Sequence, residues 1–194
     1  MSKAADAFAK LTRTTEAIIL TVPDIKIIKP EDFPISLSQY DGAELALKTN
    51  LHGDLAGVTL LLFFEEQINW IMEHCLSERD LLSPEVDSLR MSLLLEISNI
   101  LTGALSTQLS NILGLDVIGL PPESIVPEPG ESIEEFLCDV PPCQPIVLSV
   151  RTDLKDRQSG IEFPMLVVLE IESLSKILNI IRQRGIYNYE LLKN

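Results

Sequence analysis

The feature that most constrains this chain is residues 83–114, SPEVDSLRMSLLLEISNILTGALSTQLSNILG. Ser83 is a good helix N-cap, and Pro84 stands where the first helical residue would be. Gly114 can adopt the left-handed conformation that ends many helices. No proline interrupts the stretch after Pro84, so it predicts one long helix of about 45 Å.

The two faces of this predicted helix differ in chemistry. At about 100° per residue, one side is apolar and is predicted to be buried. It comprises Leu94, Ile97, Leu101, Ala104, Leu105 and Ile112. We call the polar side the docking stripe, and it comprises Ser88, Ser92, Glu96, Asn99, Gly103, Ser106 and Ser110. Most polar stripes are merely solvated, but those usually carry long charged side chains. This one is small and uncharged apart from Glu96, so we interpret it as a surface that another protein approaches closely.

The rest of the chain predicts an α+β fold. Further helices are predicted at residues 1–15, 65–75 and 172–184, and strands at 17–22, 25–28, 43–49, 55–64, 115–120, 146–152 and 162–170. The strand at 43–49 alternates as a half-exposed strand does, and that at 55–64 is apolar enough to be central. Loops or turns are predicted at 30–41, 52–54, 77–82, 121–145 and 153–160. We expect an antiparallel sheet built from both halves of the chain, with the long helix across one face.

The order of elements repeats. Each half has a strand that runs through an acidic residue into a helix, VTLLLFFEEQINWIM at residues 58–72 and MLVVLEIESLSKIL at 165–178. This echo predicts an internal duplication about a pseudo-two-fold axis, within one domain of residues 1–194 and with repeats near 1–80 and 81–185.

Composition excludes several classes of function. The net charge of −14 argues against nucleic acids and anionic membranes as partners. The apolar runs are too short to span a bilayer, and no secretory signal opens the sequence, so we expect a cytoplasmic protein. The cysteines, Cys75, Cys138 and Cys143, and the two histidines lack the spacing of a metal or redox site. Phosphate-loop, nucleophile-elbow and metalloprotease motifs are also absent.

Four residues of the predicted helix and the loop beyond it form a spaced motif. Ser92 is followed after three residues by Glu96, after two more by Asn99, and after twenty-two more by Pro122. Here the chain resembles the CheC/CheX/FliY family of chemotaxis phosphatases, whose active helix carries Asp or Ser, Glu and Asn, and later a proline, at the same intervals. A Glu-x-x-Asn motif alone is no evidence for a family, but four residues matched at fixed spacing are. The duplicated layout extends the resemblance across nearly the whole chain.

The resemblance implies a CheC-like fold and hydrolysis of phospho-aspartate on a CheY-like response regulator. Glu96 and Asn99 would be the catalytic residues, with Ser92, Gly103 and Pro122 in contact with the partner. An amide such as Asn99 can hold a water in line behind phosphorus. A carboxylate would be repelled by the phosphoryl group, so Glu96 is better assigned to an ion pair with a lysine of the regulator. The chain needs no cofactor of its own, and Mg²⁺ would belong to the regulator.

The sequence departs from the family pattern in one half. Many members carry the motif twice, but no Glu and Asn stand at the required distance before Pro23, so we expect a single centre. Two alternatives remain: a catalytically silent regulator-binding scaffold or flagellar-switch-like component, and a structural protein whose Asn99 is buried and satisfied internally. Family members can also bind a CheD deamidase, but no residue here indicates that partner. Nothing in the sequence indicates an oligomeric state.

Overall fold

The computed structural model of the chain describes residues 19–20, 24–28, 40, 42–125, 147–151, 154–155 and 164–185. The elements within these ranges are, in chain order, β1 (Ile19–Leu20), β2 (Asp24–Ile28), β3 (Leu45–Gly53), β4 (Gly57–Phe63), α1 (Glu65–Cys75), α2 (Glu78–Leu81), α3 (Val86–Leu113), β5 (Val117–Gly119), β6 (Glu123–Ile125), β7 (Val147–Arg151), β8 (Leu154–Lys155), β9 (Met165–Leu169) and α4 (Ile171–Gln183).

The strands pair in antiparallel fashion throughout the described residues. The main sheet has five strands in the order β5-β3-β4-β9, with β6 also paired to β3. Two smaller pairs join β1 to β8 and β2 to β7. The predicted α+β class with an antiparallel sheet is therefore confirmed.

Both faces of the main sheet are covered. Alternate side chains of β3 and β4 point to opposite faces, as in any strand. One face forms an apolar cluster with α1 and α3, which includes Leu45, Leu47, Leu61, Phe63, Ile68, Ile71, Leu94, Ile97 and Leu101. The other face contributes to a second cluster, which comprises Tyr40, Ala43, Ala46, Leu60, Leu62, Ile125 and Leu166. The prediction that β4 is central and buried is confirmed.

The long helix α3 spans 28 residues and ends as predicted. Gly114 adopts the left-handed conformation, with φ 68°, and its amide donates to the Ser110 carbonyl at 2.8 Å. The Arg184 guanidinium donates to the Ile112 carbonyl at 2.6 Å, which satisfies another carbonyl at the helix end. The α3 terminus is thus held against the chain that follows α4.

The predicted start of α3 was wrong by two residues. Glu85, rather than Ser83, is the N-cap, and the first helical residue is Val86. The reason is a tight turn: the Ser83 hydroxyl accepts from the Glu85 amide at 3.2 Å, and the Ser83 carbonyl accepts from the Val86 amide at 3.1 Å. A serine that bonds its own backbone two residues on makes a turn instead of a cap.

The buried face of α3 is confirmed for its first half and corrected for its end. Leu94, Ile97 and Leu101 are buried, but Ile112 is 56% exposed. Leu113 is buried instead, in a third cluster with Leu51, Leu55, Val117, Val167, Leu169 and Ile177. Burial rotates around the helix at this end because β5 packs beside it there.

Three local predictions also need correction. The strand predicted as half-exposed, β3, is buried at residues 45–47 because both faces of the sheet are covered there, with Leu45 and Leu47 in one cluster and Ala46 in the other. The strand also continues through the predicted turn to Gly53. The predicted turn at 77–82 contains the short helix α2, which Ser77 caps by accepting from the Asp80 amide. The predicted loop after Pro122 begins with a strand, β6.

The predicted turn at 153–160 was wrong in part, because Leu154 and Lys155 form the short strand β8, which pairs with β1. The remaining elements agree with prediction or lie outside the described residues. Helix α1 has the predicted bounds, and α4 begins one residue earlier than predicted. The predicted helix at 1–15 and most of the loops at 30–41 and 121–145 lie outside the described ranges. The duplication stays a prediction, although β4 and β9 each lead into a helix and pair antiparallel. No helix in the described part of the chain is long and apolar enough to cross a membrane.

Candidate functional site

The motif spacing between Asn99 and Pro122 corresponds to a return path in the fold. From Asn99 to the end of α3 at Leu113 the helix advances about 21 Å, at 1.5 Å per residue. After Gly114 the chain reverses, and the seven steps from residue 115 to residue 122 cover at most about 23 Å at 3.3 Å per step. Twenty-two intervening residues therefore bring the proline back beside the asparagine.

A kink between β5 and β6 turns the prolines towards the helix. Both strands pair with β3, with Gly119 opposite Leu51 and Glu123 opposite Lys48. Residues 120–122 thus face only two residues of β3, and the extra residue cannot fit the ladder. Two of these three residues are prolines, which lack the amide hydrogen a ladder needs. The segment therefore leaves the plane of the strand at the site.

These elements enclose a shallow pocket of about 330 Å³. Its lining residues are Ser92, Leu95, Glu96, Asn99, Pro121 and Pro122. The four residues of the sequence motif therefore lie together, with α3 on one side of the pocket and the two prolines on the other. Ser92, Glu96 and Asn99 are all exposed to solvent. The alternative in which Asn99 is buried and satisfied internally is therefore wrong.

The docking stripe is exposed only in its first five members. Ser88 and Gly103 are exposed to solvent, as are the three pocket residues Ser92, Glu96 and Asn99. Ser106 is buried, and the half-buried Ser110 hydroxyl accepts from the Val117 amide at 3.2 Å. The prediction that Ser106 and Ser110 lie on an open face was wrong, because β5 returns along that side of the helix and covers it.

Gly103 is exposed but does not line the pocket. An added Cβ at this position would have no neighbour within 4 Å, and the residue is helical. The Thr107 hydroxyl donates to its carbonyl at 2.7 Å. The fold therefore gives no packing or backbone reason for a glycine in the middle of α3.

Two residues that line the pocket, Leu95 and Pro121, were not predicted from the sequence. Leu95 precedes Asn99 by four residues and follows Ser92 by three, which puts all three on adjoining parts of one helix surface. That spacing was available in the sequence. Pro121 is adjacent to the motif proline, and its role follows from the kink, which depends on pairing with β3.

The pocket combines a carboxylate, an amide and a hydroxyl on one rigid helix. Such a set can form an ion pair, orient a water molecule and donate a hydrogen bond, but it contains no strong nucleophile. Among the described residues no group of three or more His, Cys, Asp or Glu is arranged to hold a metal ion. The carboxylate, amide and hydroxyl can position another reactive group through charge and hydrogen bonds.

Comparison with known proteins gives matches among solved structures. No family model matches the sequence, and no curated protein matches it significantly. FliY of Thermotoga maritima superposes with a TM-score of 0.63 and 17% identity, covering 94% of this chain and 89% of its own. The chain has the fold of the CheC, CheX and FliY proteins.

Two further solved structures share the fold. CheX of Borrelia burgdorferi, in a complex with CheY, BeF₃ and Mg²⁺, has a TM-score of 0.50 and 16% identity, over 86% of this chain and 93% of that one. The FliM middle domain of Vibrio alginolyticus has a TM-score of 0.53 and 14% identity, over 91% of each chain. The fold thus occurs both in CheX and in FliM.

Proposed function

We propose that this protein belongs to the CheC/CheX/FliY family and hydrolyses the aspartyl phosphate of a CheY-like response regulator. The observation that carries the proposal is that Ser92, Glu96, Asn99 and Pro122 line one pocket that is open to solvent. Four residues that are separated by up to thirty positions of sequence meet at one solvent-exposed point, as docking on another protein requires.

Asn99 is the residue proposed to act on the reacting atoms. Phosphoryl transfer depends on in-line positioning and charge stabilisation more than on proton transfer by the enzyme. The Asn99 side chain has both a hydrogen-bond acceptor and a donor, so it can hold a water molecule by its hydrogens and its oxygen. Its exposure on a 28-residue helix lets it enter a regulator's active site as a rigid projection.

Glu96 is proposed to bind the partner rather than the phosphoryl group. It is one helical turn from Asn99, and no ion pair with a basic residue involves it among the described residues. A carboxylate this close to phosphate needs a cation between them, and a lysine of the regulator would serve. Mg²⁺ is proposed to remain with the regulator, since among the described residues no group of three or more His, Cys, Asp or Glu could hold it.

The partner class is supported by the complex of Borrelia burgdorferi CheX with CheY, BeF₃ and Mg²⁺, in which a protein of this fold binds a response regulator. The net charge of −14 also agrees with docking through a lysine of the partner. No residue supports a further proposal that CheD binds.

The second candidate function is a catalytically silent component that binds a regulator or forms part of a flagellar switch. The structural likeness to the FliM middle domain favours it. The pocket residues favour the enzyme, because a passive scaffold has no need for an exposed amide beside the docking carboxylate.

Phosphate release separates the two functions. Candidate response regulators of the same organism would be phosphorylated with a small-molecule phosphodonor, freed of the donor, and followed with and without the protein. We expect faster loss of phosphate from at least one regulator at substoichiometric protein. Binding to a phosphorylated regulator with no acceleration would support the silent component instead.

A further inference from the structure

The buried residue Thr102 lies on α3 about one turn beyond Asn99, which lines the pocket. It follows Asn99 by three residues on α3 and is 2% exposed. Its hydroxyl lies 3.2 Å from the hydroxyl of Thr59 on β4, and this buried hydrogen bond links the helix to the centre of the sheet. Apolar contacts alone allow small sliding, whereas this bond sets the position of α3 along its axis one turn from Asn99.

The methyl group of Thr102 faces β5, the strand that leads to the two prolines lining the pocket. A Cβ added at Gly119 would lie 2.9 Å from the Thr102 Cγ2, closer than carbon atoms normally approach. Gly119 is the last residue of β5, and its φ lies outside the left-handed region, so its backbone does not itself require glycine. The glycine is needed there because β5 lies against Thr102.

Thr102 cannot easily yield to such a contact. Its side chain is β-branched and therefore stiff about χ1. Rotation would also break the bond to Thr59 and leave a buried hydroxyl without a partner. The strand must move away from the helix instead, and Pro121 and Pro122 follow Gly119 within three residues.

We propose that Thr102 is a positioning residue that sets the width of the pocket, by holding α3 to β4 through its hydroxyl and β5 at contact distance through its methyl. Asn99 on one wall and Pro122 on the other then keep the spacing at which a docked phosphoryl group and its water fit. The statement about turnover rests on the proposed function; the statement about pocket width does not.

A double-substitution cycle tests this role. Gly119→Ala inserts one methyl and is expected to displace β5 by about 0.5–1 Å, from the gap between 2.9 Å and an ordinary carbon contact. A misplacement of about 1 Å at an active site can reduce turnover a hundredfold, so we expect kcat to fall by roughly tenfold to a hundredfold while affinity for the regulator changes much less. Thr102→Ser keeps the hydroxyl and removes the opposing methyl, so in the Gly119→Ala background it should restore most of the lost kcat.

The matched control is Ile177→Val in α4, which lowers the unfolding temperature from a cluster that contains neither Thr102 nor Gly119 nor any residue that lines the pocket. It should leave kcat unchanged, which separates pocket width from general stability. An unchanged kcat in Gly119→Ala, or a loss that Thr102→Ser does not repair, would overturn the proposal. Should Gly119→Ala not fold, Thr102→Val is the substitute, because it keeps the methyl group but loses the hydrogen bond to Thr59. An unchanged kcat in Thr102→Val would equally overturn the proposal.

A second readout keeps the two proposals distinguishable. The side-chain amide of Asn99 gives its own NMR signals, which report the environment of the pocket without any regulator. We expect these signals to shift in Gly119→Ala and to return towards the parent position in the double variant, even if the parent protein dephosphorylates no regulator. Inactivity of the parent would contradict the proposed function alone, and unmoved Asn99 signals would contradict the role of Thr102 alone.

Discussion

Gly103→Ala should stabilise the protein and weaken its binding to the regulator. Glycine in a helix interior is destabilising by about 0.5–1 kcal/mol relative to alanine. Position 103 is helical and exposed, and an added Cβ would meet nothing within 4 Å, so no steric cost offsets the gain. For a chain of 194 residues, about 1 kcal/mol corresponds to a rise of roughly 2–4 °C in Tm.

The binding cost follows from the interpretation of this surface as a close-contact face. A methyl inserted into a packed contact typically costs about 1–3 kcal/mol, which is roughly fivefold to a hundredfold or more in Kd. The assay is thermal unfolding of both proteins, with calorimetric titration of a phosphorylation-mimicking regulator. Asn111→Ala is the matched control, because Asn111 is exposed on the same helix about 12 Å further on and should gain a few tenths of a kcal/mol without affecting binding. A Gly103→Ala protein that is more stable yet binds as tightly as the parent would refute the assignment of Gly103 to the docking face.

Two further predictions concern the pocket and the buried hydroxyls. Glu96→Gln should weaken regulator binding by about 2–5 kcal/mol if the carboxylate pairs with a lysine on docking. Ser92→Ala should weaken binding less, because water can replace a hydroxyl. Equal losses of affinity in titrations of the two variants would contradict the ion pair. Thr49→Val should be neutral or stabilising by up to about 1 kcal/mol, because the buried Thr49 hydroxyl has no hydrogen-bond partner. Thr59→Val should destabilise the protein by about 1–3 kcal/mol, because it leaves the buried Thr102 hydroxyl without its partner. Urea unfolding measures both, and destabilisation by Thr49→Val would mean that its hydroxyl is satisfied in solution.

The helices were the most predictable part of the fold, because their signals are local. Helix α1 begins at Glu65 and ends at Cys75, as predicted. Gly114 ends α3 in the left-handed conformation, which is unfavourable for residues other than glycine. The start of α3 was less predictable, since Ser83 had two local uses for its hydroxyl and the sequence does not say which one wins.

Other errors came from contacts between distant segments. Nothing near β3 in sequence says that both faces of its sheet will be covered, so its burial was underestimated. Likewise, Ser106 and Ile112 were assigned to faces by helical periodicity alone. The return of β5 along α3 covers Ser106 and, at the helix end, buries Leu113 instead of Ile112.

The candidate site was predicted better than its surroundings. Ser92, Glu96 and Asn99 share a surface through helical spacing alone, and their distance in sequence from Pro122 matches a helix, a turn and a returning strand. The supporting contacts were not predictable, because the bond between Thr59 and Thr102 joins residues 43 positions apart.

The central claim is that this protein removes phosphate from a response regulator through Asn99, and the rate of phosphate loss with the Asn99→Ala variant tests it most directly. Asn99 is exposed, so the substitution should leave the fold intact, and regulator binding should survive because the docking carboxylate remains. We expect turnover to fall on the order of a hundredfold or more at unchanged affinity. An Asn99→Ala protein that dephosphorylates the regulator as fast as the parent would contradict the account.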